Sequence, residues 1–319
     1  MSTLILNKSE VLRLMQMKDV IDVVEKGFRD WSIGKGDMPP KAYISVKDGD
    51  FRAMPAALPG AAGMKWVNVH PGNRAKGLPS VMAIIIYSDP ATGYPLAIID
   101  ATDITAYRTG ATAAIASKYL AKKNSRTLGL VGGGKQAETQ ILAHAEIFNI
   151  QEIRVYDIDP EAVGRLQALI HKFRLTAATI ETAMNSDIVC TLTPAHTPVV
   201  KKEWIQPGSH INAVGADAEG KEELDPEILR MATIVVDDFR QAVHAGEVNV
   251  PISKCLYTKD EIYGSLGEII LGRKPGRTND KQITIFDSTG VAIEDIATAK
   301  LIYDKAVNNN VGLRVNILE

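Results

Sequence analysis

Between Ser9 and Trp31 the apolar residues Val11, Leu12, Met15, Val20, Val23, Val24 and Phe28 return mostly at three- and four-residue intervals, which predicts one or two amphipathic helices. From Pro40 to Asp100 the period shortens. β-rich runs at 42–46, 51–54, 64–67, 81–87 and 96–99, most bounded by Gly, Pro, Asp or Asn, predict strands. The stretch Ser88-Asp89-Pro90-Ala91-Thr92-Gly93-Tyr94-Pro95 has turn chemistry throughout, so the last two runs should pair as a hairpin in a mostly antiparallel sheet. An Ala-rich helix is expected over 106–120. After Thr127, strand candidates at 127–131, 153–157, 188–191, 210–214, 234–236 and 283–286 alternate with helical stretches, the signature of a parallel sheet wound with helices on both faces. Helical spacing returns over 292–306 through Ile293, Ile296, Ala297 and Leu301, a segment expected to fold back on the amino-terminal domain. The fold class is therefore α/β, a doubly wound parallel sheet plus a mostly antiparallel α+β domain. The division falls at 1–118 with 292–319 for the antiparallel domain and 119–291 for the parallel one.

Length and charge narrow the function. A chain of 319 residues suits two domains of ordinary size. Its 36 basic and 38 acidic residues nearly cancel, and no run of Lys and Arg is long enough to track a phosphate backbone, so nucleic acid is not expected as a partner. The most apolar stretch, Val81 to Tyr87, is far shorter than the roughly 20 residues needed to span a bilayer. The start, Met1-Ser2-Thr3-Leu4-Ile5-Leu6-Asn7-Lys8, is too briefly apolar for a signal-peptide core, and a cytoplasmic protein is expected. Cys190 and Cys255 form no CxxC pair and are expected to be ordinary buried thiols. The six histidines show no metal-ligand spacing, and His244-Ala245-Gly246-Glu247 reads as a turn, so no metal is assigned.

The strongest chemical signal is local. The apolar strand Leu128-Gly129-Leu130-Val131 feeds into Gly132-Gly133-Gly134-Lys135-Gln136-Ala137 and then a helix with Ile141, Leu142, Ala145 and Phe148 on one face. In such a Rossmann turn Gly132 permits the bend, Gly134 lets backbone approach a pyrophosphate, and the small Ala137 lets helix and strand pack closely. The helix start offers N–H groups and partial positive charge to the phosphates. Some twenty residues on, the next strand ends in Asp157, whose carboxylate suits adenosine ribose hydroxyls. Ile158-Asp159-Pro160 follows rather than Arg, so NAD is favoured over NADP, although Arg154 and Arg165 leave a second charge arrangement open.

Several further motifs carry a resemblance. Lys65-Trp66-Val67-Asn68, His70-Pro71-Gly72-Asn73, Gly77-Leu78-Pro79, Arg108-Thr109-Gly110, His210-Ile211-Asn212-Ala213-Val214-Gly215-Ala216-Asp217 and Asp287-Ser288-Thr289-Gly290, with the glycine turn, resemble the ornithine cyclodeaminase/μ-crystallin family over nearly the whole chain. Gly36-Asp37-Met38-Pro39-Pro40-Lys41 and Phe51-Arg52-Ala53-Met54-Pro55-Ala56 are most similar to its archaeal alanine dehydrogenase branch. The resemblance implies a small amino or keto acid as substrate, NAD as cofactor, and a homodimer paired through the antiparallel domain. It further implies Lys65 as the proton-exchanging amine, Arg108 with Arg52 and Lys41 as carboxylate holders, and Asp217 as the group that binds the reacting nitrogen. Ser80, Arg108, Thr109, Thr193, Asn212, Ala213, Val214, Gly215, Lys221 and Ser288 are placed along the cofactor beside Gly132, Gly134, Lys135, Gln136, Ala137, Asp157 and Ile158.

This chain departs from the cyclodeaminase pattern at Arg52, where those enzymes carry a glutamate two residues before the Met-Pro pair. A guanidinium cannot take up a proton and would repel the side-chain ammonium of ornithine. Reversible oxidative deamination of L-alanine is the reaction expected, with cyclodeamination of ornithine and ligand binding without turnover as alternatives. A second departure, Ala218-Glu219-Gly220-Lys221 in place of a Gly-Pro-Gly-Lys loop, alters the segment after Asp217.

Overall fold

A computed structural model describes residues 2–318, apart from the Arg74 side chain; Met1 and Glu319, the ends of the antiparallel domain drawn from the sequence, lie outside the described residues. In chain order the elements are β1 (Thr3–Leu6), α1 (Lys8–Leu14), α2 (Met17–Ser32), β2 (Ala42–Val46), β3 (Gly49–Leu58), β4 (Ala61–Val69), β5 (Val81–Ser88), β6 (Pro95–Asp100) and α3 (Thr102–Leu120). There follow β7 (Thr127–Val131), α4 (Lys135–Ile147), β8 (Glu152–Tyr156), α5 (Pro160–Leu169), β9 (Leu175–Ala177), α6 (Ile180–Met184), β10 (Ile188–Thr191), β11 (His210–Ala213), α7 (Pro226–Met231) and β12 (Thr233–Val236). The chain continues through α8 (Phe239–Ala245), α9 (Asn249–Ser253), β13 (Gly264–Ser265), α10 (Leu266–Ile270), β14 (Thr284–Asp287), α11 (Ala292–Asn308) and β15 (Leu313–Val315). It divides into two compact units, Met1–Arg108 with Val291–Glu319, and Thr109–Gly290.

In the first unit the strands lie in the order β15-β1-β6-β5-β4-β3-β2, antiparallel throughout except where β1 runs beside β6. The Asp89–Tyr94 turn closes the β5–β6 hairpin with paired backbone hydrogen bonds, as its residues predict. The first strand, β1, was hidden in the sequence because four residues are too few to show a period. α1 starts on a reciprocal cap between Asn7 and Glu10, each side chain bonding the other's backbone N–H. α2 buries Val20, Ile21, Val24, Gly27 and Phe28, spacings that put one face of the helix inward. That face packs on α11, which also covers β3, β4 and β5. Successive side chains on a strand point to opposite faces. On β5, accordingly, Ile85 is fully buried while its neighbours Ile84 and Ile86 are exposed.

The second unit carries an all-parallel sheet in the order β13-β12-β14-β11-β10-β7-β8-β9. The strand order reverses its sense of growth between β7 and β10, which is where doubly wound sheets open a crevice for ligands. Both faces are covered. Leu128, Leu130, Ile188 and Cys190 pack with Ile141 and Val155 in one cluster, and Val131, Val189, Ile211 and Ile285 pack with Ile228 and Val248 in the other. Two expectations from the sequence change here. Cys190 is buried, with its thiol pushed up to about 12 by burial, but Cys255 is exposed in a left-handed backbone conformation. His244 and Ala245 form the last turn of α8, which ends at Gly246, a position where the Asp287 carboxylate leaves no room for a side chain. No helix among the described residues is long and apolar enough to cross a membrane.

Candidate active site

Lys65 lies in the middle of β4, across from Met54 on β3 and Ile85 on β5. Strand alternation turns it to the same face as Val67, the face that α11 covers, and leaves it 1% exposed. An isolated buried ammonium is very costly, so a partner is required. Asp295 of α11 provides it: Lys65 Nζ donates to Asp295 Oδ1 at 2.8 Å. Arg108, near the middle of α3, lies 3.1 Å through Nε from the same oxygen and hydrogen-bonds the Glu294 carboxylate through NH1. Burial, and next the Arg108 guanidinium, drive the Lys65 amine down to about 7; Asp295 raises it and Lys41 lowers it further. Lys65, Arg108 and Lys41 are thus brought together. Asp295 and Glu294 join them unforeseen.

Arg52 stands two residues before Met54 and so shares the face of Lys65. Its side chain is buried rather than projecting as a strand cation would. Nε bonds Asp50 Oδ1 at 2.7 Å, NH2 lies 3.3 Å from Oδ2, and the guanidinium sits 5.5 Å from the centre of the Tyr43 ring. A planar fork held by one carboxylate and one aromatic face is fixed in orientation.

In the second unit the glycine turn has the geometry its sequence requires. Gly132 bends at φ +114°, and Gly134 caps α4 with no side-chain hydrogen bond, so the first N–H groups of that helix are not occupied by a cap. A side chain at Gly134 would meet no atom within 4 Å, so the turn lies open there, whereas Ala137 is fully buried. Asp157 stands one residue past the end of β8, where Oδ2 accepts from Gly133 N at 2.6 Å and Oδ1 from Asp159 N at 2.8 Å. Ile158 is 90% exposed beside it. Lys135 pairs with Glu138 on the surface of α4, and the Gln136 carbonyl accepts from Thr139. These residues fit a dinucleotide: an open, uncapped helix start follows a tight glycine turn, with a carboxylate one strand away.

Several of the remaining positions expected along the cofactor surround a feature the sequence did not announce. Glu223 is wholly buried and accepts four hydrogen bonds: from Thr191 Oγ1, from the N–H and hydroxyl of Thr193, and from Gly215 N. A Cβ at Gly215 would lie 2.2 Å from the Thr193 carbonyl and 2.6 Å from the Glu223 carboxylate, so only glycine fits. Behind it Glu247 accepts from the N–H groups of Glu223 and Leu224, and Asp287 from those of Glu247 and Val248. Burial pushes all three acids up, Asp287 to about 8. Asp237 accepts from Thr289 and Gly290 beside Ser288, whose own N–H bonds Ala213. Asn212 is turned into the interior, donating to Ser117 and accepting from His210. Asp217 is paired with Lys221 at 2.5 Å, while Val214 and Thr109 are buried and Ser80 half-buried. Among the described residues no cluster of acids, histidines and cysteines has metal-binding geometry.

The missed acids differ in how well the sequence hid them. Glu294-Asp295 interrupts Val291-Ala292-Ile293 and Ile296-Ala297, an apolar run in which two adjacent charges need a buried partner. Glu222-Glu223 follows Glu219-Gly220-Lys221 in a charged run that reads as solvated loop, and nothing in it marks one acid as buried.

The ornithine cyclodeaminase/mu-crystallin family matches residues 1–310. The chain belongs to that family. It is 49% identical over 317 residues to a protein of Archaeoglobus fulgidus named alanine dehydrogenase, covering 99% of this chain and 98% of the relative. Among solved structures, an archaeal alanine dehydrogenase dimer with bound NAD superposes over the full length of both chains at a TM-score of 0.98 and 48% identity. The Thermococcus litoralis Δ1-pyrroline-2-carboxylate reductase, in complex with NADH and L-proline, matches at a TM-score of 0.96 and 40% identity, over 98% of this chain and all of that one.

Proposed function

We propose that this family member is an NAD-dependent amino-acid dehydrogenase interconverting L-alanine with pyruvate and ammonia. The observation that carries the reading is Lys65, a buried amine held near pKa 7 among cations, in a chain similar along its whole length to a protein named alanine dehydrogenase. An amine at that value takes up and gives back protons near neutral pH. The guanidiniums of Arg108 and Arg52, with Lys41, bind the substrate carboxylate. Bound NAD supplies the redox chemistry by accepting hydride from the substrate α-carbon. Lys65 takes a proton from the water that adds to the resulting imino acid and returns one to the departing nitrogen, which Asp217 binds. Arg154 and Arg165 are tied to Glu152 and to Asp159 and Glu161, so a 2′-phosphate would meet acid at Asp157, and NAD is the dinucleotide preferred.

The chain works as a homodimer. Ile84 and Ile86 on β5 and Ile44 and Val46 on edge strand β2 form an exposed apolar surface suited to a self-complementary contact, and the similar archaeal structure is a dimer. Sedimentation analysis checks this: a monomer at micromolar concentration overturns it.

NADH oxidation that requires both pyruvate and ammonium is the result expected. Its absence, together with release of proline from ornithine, would replace the reading with cyclodeamination. The likeness to the Thermococcus litoralis reductase favours a second reading, reduction of a cyclic imino acid. Rapid NADH oxidation by Δ1-pyrroline-2-carboxylate without ammonium, beside none with pyruvate, would select it.

A further inference from the structure

The groups around Lys65 can be named element by element. β5 presents the uncharged Ile85, and β3 presents Met54 together with Arg52 on the same face, whose guanidinium is paired with Asp50. α3 presents Arg108, and the segment before β2 brings Lys41, both of which disfavour a second positive charge. α11 presents Asp295, and beside it Glu294, which engages Arg108. The two acids are 0% and 1% exposed, so both are held away from solvent. Asp295 Oδ2 accepts no hydrogen bond among the described residues, so the carboxylate is held through Oδ1 by Lys65 and Arg108.

We infer that Asp295 is a positioning residue: by sharing one carboxylate oxygen between Lys65 and Arg108, it keeps the Lys65 amine able to bind a proton and aims its remaining N–H bonds. The proton acceptor it serves, the substrate nitrogen, rests on the dehydrogenase reading; the Lys65–Asp295–Arg108 arrangement does not. In the proton cycle neutral Lys65 forms an N–H bond as water loses a proton and adds as hydroxide to the imino carbon. That N–H bond breaks when the proton passes to the departing nitrogen; as the C–N bond breaks and the hydroxyl closes to the carbonyl, its remaining proton returns to the now neutral Lys65 amine. Without Asp295, burial and two neighbouring cations hold Lys65 neutral, and the second transfer has no proton to give.

The full chain, labelled with 13C-lysine, tests this through the Lys65 Cε resonance, identified by its loss in K65A. In the wild type it should titrate near pH 7. In D295N the midpoint should fall by more than about one pH unit, a tenfold change in the proton equilibrium, while D295E stays close to wild type. The low-pH limb of kcat/KM for alanine oxidation should move down with it, with NADH affinity unchanged. A folded D295N that titrates as wild type overturns the inference. If D295N does not fold, wild type and D295E decide it, and an ordinary lysine midpoint near 10 in either overturns it. If alanine is not turned over, the dehydrogenase reading fails, and the resonance still judges Asp295.

Discussion

The two units bury charge by opposite means. In the first, cations and anions meet side chain to side chain: Lys65 and Arg108 against Asp295 and Glu294. In the second, Glu223, Glu247, Asp287 and Asp237 accept almost entirely from backbone N–H groups and threonine hydroxyls. Desolvation pushes each group toward its neutral form, lowering the lysine and raising the acids. An amine brought to neutrality can move protons. A carboxylate enclosed by amides can only hold backbone in place. On the proposed reading the buried charge of the antiparallel unit is reactive, whereas the buried acids of the parallel unit brace the segments that present Thr193, Gly215 and Ser288.

The sharpest way to break that contrast is to remove one group from each side. Lys65→Ala should lower turnover by about a thousandfold, within the range of general acid–base catalysis, and leave NADH binding by fluorescence titration intact. Loss of binding in step with turnover would make Lys65 a structural cation. Glu223→Ala should do the reverse. It strands four donors, one buried and three half-buried, at a cost of about 3 kcal/mol, read as a lower urea midpoint, and weakens NADH binding through the loosened Thr193 and Gly215 segments. A variant as stable as wild type would remove the bracing role.

The same contrast explains what the sequence disclosed. Periodicity located both sheets because apolar alternation is a property of contiguous residues, and it found the parallel strands Thr127–Val131 and Ile188–Thr191 to the residue. The glycine turn was equally plain, since its chemistry is local. Lys65 and Arg108 were reached only through family motifs, because a lysine on a strand looks the same whether solvated or buried. Asp295 and Glu223 were missed for a further reason. Each is defined largely by partners outside its own segment, Lys65 lying 230 positions from Asp295 and Thr191 32 from Glu223, and no short window of sequence contains both ends of such a pair. β1, β9 and β13 escaped because two to four residues carry no period.

Changing pH should separate the units without mutation of the site. Asp287 rises from 3.8 to about 8 on folding, so between those values the native state binds the extra proton and stability falls as pH rises. Lys65 falls from 10.5 to about 7, so between 7 and 10.5 the unfolded chain binds more protons and stability rises with pH. His144 and His210, buried and lowered to about 4 and about 3, also favour stability rising up to about pH 6.5. The readout is therefore the difference between wild type and Asp287→Asn. From pH 5 to 7.5 the wild type should lose about 3 kcal/mol relative to the variant in urea unfolding, close to the bound of about 1.4 kcal/mol per pH unit for one proton. Parallel curves would mean that the acids are ionised in the fold.

The smallest effect is expected at Asp157, an acid of the second unit that belongs to neither pattern. Like Glu223 it accepts a backbone N–H, from Gly133, but it is half-buried at the end of a strand and beside an exposed Ile158. If it acts on ligand, Asp157→Ser removes the charge that opposes a 2′-phosphate, and the ratio of NADPH to NADH affinity should rise about tenfold, about 1.4 kcal/mol. Arg165, 60% exposed, held by Asp159 and Glu161 and within electrostatic reach of Asp157, is then a cation able to favour the phosphate, so Asp157→Ser with Arg165→Ala should lose part of the gain. Fluorescence titration with both reduced dinucleotides measures this without any assumption about substrate. An unchanged ratio with a lowered melting temperature would place Asp157 with Glu223, as one more carboxylate that braces the backbone rather than one that reads the cofactor.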